Sequence, residues 1–585
     1  MRGLRAQWIL KDDSPPSSGA TGGLRDRLLA LRGDMAGADP LDVSLIRLDD
    51  PSTMAGAQEA GECLARALAD GKRIAIHGDY DVDGIAASTL LKHVLTTIAP
   101  DQEIPIRIPN RLDEGYGLST KGLLEMRSQG VDLVVSVDCG ITSIEEVAVA
   151  NDAGLEMIIS DHHTPLTDAN GDCMLPDAKV VVHPRISGSS GFPDLAGAGV
   201  AFKIAWAVAR AHAGSERVPS ILREALVEAL PFAAMGTIAD VVPLVSENRV
   251  IAAQGLRRMR STHNIGLKAL LAECAAPPDV DEEFIKFQIA PRINALGRLG
   301  SAQPALDLFA ESDMAKAAGI ARHLTEINTV RREAQNELFQ TALERVIEEG
   351  QDQPDHPIIV LAEAAWKQGL CGPAAAKVAE KFNRPVVLME ICEDGVARGS
   401  ARSVDGYSIR DGLASAHHVL ERYGGHDAAA GLAVAADRIP ELLACMLDHA
   451  RAQLGTSSLQ ATLEVDCRAS LSEIGSVQEI RRMRELSPFG HGNPEPKVLL
   501  QGVKAIQTRW IGGGEDHLKL VLVSADKPRG SRSVEAIWFR ASEHRSAIDE
   551  AIARGPLDLV VEPGINTFNG STVAQMKIAD ARSGS

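Results

Sequence analysis

The stretch His77-Gly78-Asp79-Tyr80-Asp81-Val82-Asp83-Gly84 follows directly on the apolar run 73–76. A short β-rich run that ends in acids and then glycine has the form of a strand leaving a sheet at its carboxyl end. Further runs of this kind lie at 133–137, 157–159 and 180–182. Between them, residues 85–98, 120–129 and 142–153 carry apolar side chains at helical spacing. Strand and helix in alternation imply an α/β fold, a parallel sheet covered by helices on both faces.

In an open parallel sheet, ligands bind beyond the carboxyl ends of the strands. The second run ends in Asp138-Cys139-Gly140 and the third in Asp161-His162-His163, so three strands deliver acids or imidazoles to one edge. Asp240 follows the apolar stretch 232–239 and can arrive there too. Gathered carboxylates repel and raise one another's pKa. Divalent cations relieve this, and oxygen ligands with a few imidazoles suit Mn²⁺ or Mg²⁺ better than a closed zinc site. A carboxylate shared by two ions is a usual device for phosphate-ester hydrolysis.

Blander readings weigh against each motif alone. Asp79, Asp81, Asp83 and Gly84 match the start of an EF-hand loop, but its twelfth position is Leu90 instead of the bidentate Glu, and a strand precedes it. A single Asp138 after a strand is commonly a helix cap, and Asp161-His162-His163 could cap a turn. The coincidence of all three at one edge favours metal.

Composition bounds the rest. The 585 residues exceed one core, so three or four domains are expected. The formal charge of −19 argues against nucleic acid unless a basic groove is local, and aromatics at 3% argue against a large stacking platform. Cys63, Cys139, Cys173, Cys274, Cys371, Cys392, Cys445 and Cys467 form no CxxC pair, which reads as reduced thiols in a cytoplasm. There is no apolar signal core and no run able to span a bilayer.

Residues 1–70 read as an N-terminal segment, with a loop rich in Ser, Pro and Gly at 13–23, and 71–315 as the domain carrying the acids. Residues 316–350 read as a long connecting helix rich in Glu, Arg and Gln. A second α/β domain follows at 355–455, with runs at 358–361 and 386–389. After a linker at 456–458, residues 459–582 carry short runs between turn signals such as Gly512-Gly513-Gly514 and Asn569-Gly570, as in a small β-barrel or sandwich.

With these motifs in place, the chain resembles the DHH phosphoesterase superfamily, whose namesake triplet is Asp161-His162-His163. It is similar within it to the RecJ single-strand-specific exonucleases. The matching stretches include Ile108-Pro109-Asn110-Arg111, Glu114-Gly115-Tyr116-Gly117 and Gly236-Thr237-Ile238-Ala239-Asp240. Others are Pro291 to Arg298, Gly399 to Ser403, Gly424-Gly425-His426 and Pro488 to Pro496. The resemblance covers nearly all of the chain after Lys72. It implies a DHH domain, a connecting helix, a DHHA1 domain and a C-terminal OB-like barrel. It also implies stepwise hydrolysis of single-stranded DNA from a 5′ end to 5′-mononucleotides by two Mn²⁺ or Mg²⁺ ions, in repair and recombination. By resemblance Asp81, Asp83, Asp138, His162 and Asp240 hold metal, and His77 is a further ligand candidate. Asp79 is either a ligand or an acid behind one. His163 would face the scissile phosphate and Asp161 would orient the imidazoles.

For the strand, Arg111, Arg292 and Arg298 sit in glycine- or proline-marked segments outside obvious helical faces, where guanidinium forks suit phosphate; an isolated Arg is more often in a salt bridge. Asn294 belongs to the same motif. Ser400, Arg402, Ser403, Gly425 and His426 look like a cradle for the nucleic-acid backbone. Trp510, Lys519, Trp538, Phe539 and Arg540 are barrel candidates for gripping it, although the apolar ones are commonly core. Duplex would be excluded sterically by a narrow channel between the two α/β domains. Lys367, Pro373 and His183-Pro184-Arg185 depart from the family pattern, while the metal motifs are intact. A single-strand-binding protein and a helicase are the implied partners, and nothing demands more than a monomer. Shorter relatives act on small phosphates, and some similar chains serve as replication subunits with degraded motifs; the length and intact acids argue against both.

Overall fold

The structure, a computed structural model, describes residues 1–13, 23–33, 41–110, 114–168, 170–455, 461–526, 533–568 and 571–584. Arg111, most of the loop at 13–23, the linker at 456–458 and the Asn569-Gly570 turn lie outside the described residues. The chain forms two compact units, Met1–Thr325 with Leu463–Ser585, and Glu326–Thr462.

In the first unit a five-stranded parallel sheet has the order Ile106–Arg107, Ile74–Gly78, Leu133–Val137, Glu156–Ser160, Val180–Val182. Ile74–Gly78 and Leu133–Val137 are buried at every position, as strands covered on both faces must be. Ala75, Val134, Met157 and Ile159 point to one face, against Leu123, Met126 and Val147 of helices Thr120–Ser128 and Ile144–Asp152. Helices Val82–Ile98 and Gly197–Ala213 pack against the sheet as well. The edge strand Ile106–Arg107 escapes sequence reading because two residues show no periodicity.

The C-terminal sheet has seven strands, and Val498–Ile511 pairs with both His517–Ser524 and Leu557–Phe568, which closes it into a barrel. Residues 1–70 are not a segment of their own. Strand Gln7–Asp12 joins the barrel sheet beside Thr462–Arg468. Trp8 packs with Val465, Leu499 and Val560 and donates through Nε1 to Asp580 Oδ2 at 2.8 Å. Leu24 and Leu28 enter the barrel core, whereas helix Ala57–Ala69 packs on Gly197–Ala213 of the other half. A strand whose partner lies at the far end of the chain leaves no local signal.

In the second unit the sheet order is Leu420–Gly425, Ala429–Ala435, Val396–Arg402, Val386–Ile391, Ile359–Glu363, with only the last pair parallel. Helix Met314–Glu348 runs through the division of the chain, and its Leu338, Ala342 and Val346 pack against Trp366, Leu370 and Val378.

The N-terminal strand makes the barrel depend on the first residues of the chain. Trp8→Ala is expected to destabilise the barrel by about 3–5 kcal/mol, read by denaturant titration of the full chain. A loss under about 1 kcal/mol would show that the barrel core does not need this side chain.

Candidate metal centre

The first strand leaves the sheet at Gly78 and turns through Asp79-Tyr80-Asp81 into helix Val82–Ile98. Asp81 caps that helix, its Oδ1 accepting from the Asp83 amide at 2.9 Å and the Gly84 amide at 3.2 Å. Gly84 is required because a Cβ there would stand 2.5 Å from the Asp79 backbone nitrogen. Asp83 reaches across to the start of helix Gly197–Ala213, where Oδ2 accepts from Gly197 N at 2.7 Å and Oδ1 from Ala198 N at 2.9 Å. Helix N-termini favour such anions.

Asp138 ends the second strand in the left-handed region at φ 63°, a conformation that Asp tolerates better than most residues. Asp161, buried at the end of the third strand, accepts from the amides of His162 and His163 and, through Oδ2, from Ile141 N. Its Oδ1 also lies 2.7 Å from His163 Nδ1, which must therefore carry the donated proton. Asp240 caps the C-terminus of helix Ser220–Ala239.

These elements converge on His162. Its Nε2 lies 3.1 Å from Asp138 Oδ1, 3.6 Å from Asp240 Oδ2 and 3.9 Å from Asp83 Oδ2. None of these approaches has hydrogen-bond geometry, so Nε2 and Asp138 Oδ1 are buried without a hydrogen-bond partner. Three sets of side chains bring ligand atoms within 4.8 Å of one another: Asp79, Asp81, Asp138; Asp83, His162, Asp240; and Asp138, His162, His163. A buried carboxylate oxygen and an imidazole nitrogen that face each other unpartnered are what a cation would satisfy. The donor set, mainly carboxylate, fits a hard divalent ion.

Burial, then Asp81, raises Asp83 to about 7. Burial, then Asp83 and Asp81, raises Asp240 to about 8. Asp138 goes well above its usual value for the same reasons. Burial, with His163 adding to it, lowers His162 to about 3, so its imidazole is a neutral, ligand-competent base. The opposite occurs next door. Burial opposes charge on His163, yet the Asp161 hydrogen bond and the surrounding acids raise it to about 9.

The structure places other expected residues differently. His77 Nε2 meets Arg107 Nη1 at 3.2 Å, and His77 belongs to none of the three sets. Arg292, Asn294 and Arg298 lie inside helix Ala290–Leu299, which corrects the reading of the two arginines outside helical faces. Asn294 Oδ1 accepts from Val82 N at 3.1 Å, between Asp81 and Asp83, so it braces the acidic loop. Arg292 binds Gln288 O at 2.7 Å and Thr325 Oγ1 at 3.1 Å. In the second unit, a Cβ on Gly372 would meet Arg402 Nη2 and Ser400 Oγ, which places both side chains under helix Gln368–Phe382. Ser403 Oγ donates to Tyr407 O at 2.7 Å. Gly425 and His426 are exposed at a turn closed by His426 N and Ala429 O. A nearby cleft of about 320 Å³ is lined instead by Gln368, Gly399, Arg422, Tyr423, Gly424, Gly431 and Leu432. In the barrel Trp538 is core, Lys519 pairs with Glu535, and Phe539 is half exposed.

Three roles were not read from sequence. Gly197 and Gly236 make room for the acids: Cβ atoms there would lie 2.4 Å from Asp138 Oδ1 and 2.2 Å from Asp83 Oδ1. Tyr116 OH lies 2.9 Å from His163 Nδ1 and donates to Asp138 O at 3.3 Å. The departure His183 has a local reason, since its Nε2 reaches His163 O at 2.7 Å and its Nδ1 accepts from Arg185 N. The run of small residues Gly197-Ala198-Gly199 at a helix start was the available signal.

Family models match residues 73–231 as the DHH family N-terminal domain, 355–451 as the DHHA1 domain and 465–580 as the RecJ OB domain. With the acidic edge of the sheet, these define a DHH-type phosphoesterase. The chain is 33% identical over 567 residues to the single-stranded-DNA-specific exonuclease RecJ of Dickeya dadantii, covering 94% of each. It is 35% identical over 536 residues to the same-named protein of Bacillus subtilis, covering 91% of this chain but only 64% of that relative. The crystal structure of RecJ in complex with Mn²⁺ from Thermus thermophilus matches with a TM-score of 0.76 at 28% identity, over 99% of this chain and 80% of that one. Its Mg²⁺ complex matches at 0.73 and 27%, over 99% and 79%. The chain belongs to the RecJ family of single-stranded-DNA-specific exonucleases.

Raised carboxylates set a pH dependence. A carboxyl whose folded pKa exceeds its unfolded value near 4 stabilises the fold at low pH, and that contribution is lost as pH rises through the folded pKa. The metal-free chain should therefore lose Tm progressively from about pH 4, the unfolded value, up to about pH 8, the folded value of Asp240, with the Asp83 contribution exhausted near pH 7. Added Mn²⁺ should raise Tm more at the upper end of this window, because binding displaces those protons. A Mn²⁺ shift equal at both ends, in thermal melts, would contradict the protonation scheme.

Proposed function

We propose that this chain hydrolyses single-stranded DNA stepwise from a 5′ end to 5′-mononucleotides, with two divalent ions, Mn²⁺ or Mg²⁺, at the edge of the parallel sheet. The observation that carries this reading is His162 Nε2 buried among three carboxylates without a hydrogen bond. Asp79, Asp81 and Asp138 would hold one ion, and Asp83, His162 and Asp240 would hold the other. When bound, such ions supply an acidified water and neutralise charge on phosphoryl oxygens.

The chain's own groups do the remaining work. Asp161 holds His163 through Nδ1, leaving Nε2 as the nitrogen to face a phosphate oxygen. Held as an imidazolium, His163 stabilises negative charge as the ester breaks and can donate a proton to the leaving oxygen. Tyr116 OH meets the same Nδ1 at 2.9 Å, so both contacts leave Nε2 open. Preference for single strands is assigned to steric exclusion of duplex. Work in the cytoplasm as a monomer, in repair and recombination, on strands opened by a helicase and coated by a single-strand-binding protein, rests on family kinship.

The test is a 5′-phosphorylated oligonucleotide, labelled at either end in parallel, with Mn²⁺. A 5′ label should appear at once as mononucleotide, a 3′ label only late, and blunt duplex should be cut far more slowly. Asp138→Ala should abolish cleavage, by on the order of a thousandfold or more, with circular dichroism unchanged. Turnover of small phosphates without DNA cleavage would sink the substrate assignment, and normal cleavage by Asp138→Ala would sink the metal assignment.

A further inference from the structure

The motif Pro488-Phe489-Gly490-His491-Gly492-Asn493-Pro494 belongs to the barrel half of the sequence, far along the chain from the acidic motifs. It closes on itself first: Gly490 and Asn493 exchange backbone hydrogen bonds at 2.8 and 3.1 Å. The fully buried Asn493 side chain donates to Leu486 O and Pro488 O at 2.9 and 2.8 Å. A turn so tied has one shape.

That turn is fastened to the loop that follows Asp240. Leu244 N donates to His491 O at 2.7 Å. Lys286 Nζ donates to Phe489 O at 2.9 Å, and Phe489 N donates to Glu282 Oε1 at 2.8 Å. The backbone also approaches closely. Gly492 has φ 72°, and a Cβ there would lie 3.1 Å from Pro243 Cβ and 3.3 Å from Val245 Cγ1. Between Asp240 and this anchor stands Val241 at φ 61°, a region that β-branched residues avoid. Such strain persists only where surroundings impose it.

We infer that the 488–494 turn is a positioning element for the metal centre: by pinning Leu244 it holds the Asp240 loop in the strained path that aims Asp240 at His162. Gly492 and Lys286 are its positioning residues. This rests on the metal reading above. It ties the barrel to the metal centre through backbone contacts instead of through DNA.

The experiment is Mn²⁺ titration by calorimetry on the full chain without DNA, alongside single-strand binding by fluorescence anisotropy in EDTA and cleavage rates across Mn²⁺ concentrations. Gly492→Val should weaken Mn²⁺ binding about 10- to 100-fold, leave strand binding in EDTA unchanged, and regain much of its rate at high Mn²⁺. Lys286→Met should show the same pattern more weakly and guards against a Gly492 variant that fails to fold. Gly319→Ala, a helical position with open space around it, should match the parent protein. Unchanged Mn²⁺ affinity in both variants, or lost strand binding with intact Mn²⁺ affinity, would overturn the inference. A parent chain that binds no Mn²⁺ would instead overturn the metal reading itself.

Discussion

Mutual repulsion of carboxylates in a small volume is the constraint on which the centre depends. Asp79, Asp138 and Asp83 are buried, and Asp240 and Asp81 stand beside them. Water is kept from the three buried acids, and among the described residues the basic group within 4 Å of Asp83, Asp138 and Asp240 is the neutral imidazole of His162, not a Lys or Arg. What opposes the repulsion is partial positive charge from backbone: two amides of helix Gly197–Ala213 for Asp83, and two amides of its own helix start for Asp81. This is enough to assemble the acids and too little to satisfy them, which leaves Asp138 and His162 with buried atoms lacking partners.

The fold delivers these groups from separate places, and each delivery has a local cost. Asp138 and Val241 adopt left-handed backbone, and glycine is required at 84, 197 and 236, where any Cβ would collide with the acids or their backbone. The two adjacent histidines divide the labour because only one has an acid within hydrogen-bonding geometry. Asp161 makes His163 a stable cation, while His162, buried beside that cation, stays neutral. One dipeptide thus offers a neutral imidazole and a charged one.

The strands were legible because Leu133–Val137 and its neighbours are covered on both faces and must be apolar throughout. The acids were legible because they fall where each apolar run stops. The Pro291 to Arg298 stretch misled: proline and glycine read as loop, but Pro291 sits in the first helical turn, where a missing N–H is harmless, and Gly297 lets the helix lie against Tyr80. Asn294 was expected to face substrate; its amide oxygen is held by Val82 N, a contact between distant segments that no local pattern encodes. Likewise Gln7–Asp12 extends the edge of a barrel sheet whose other strands all lie in the last quarter of the chain. Gly197 matters through its lack of a side chain, a role visible only once Asp138 is in place beside it.

The most direct test of the central claim is crystallographic: crystals of the full chain grown with Mn²⁺, with data collected at the manganese absorption edge. The account requires two anomalous peaks, one within coordination distance of Asp79, Asp81 or Asp138 and one reached by His162 Nε2 with Asp83 or Asp240. Electron density that shows these side chains closed into salt bridges with one another's neighbours, and no anomalous peak among them, would contradict it.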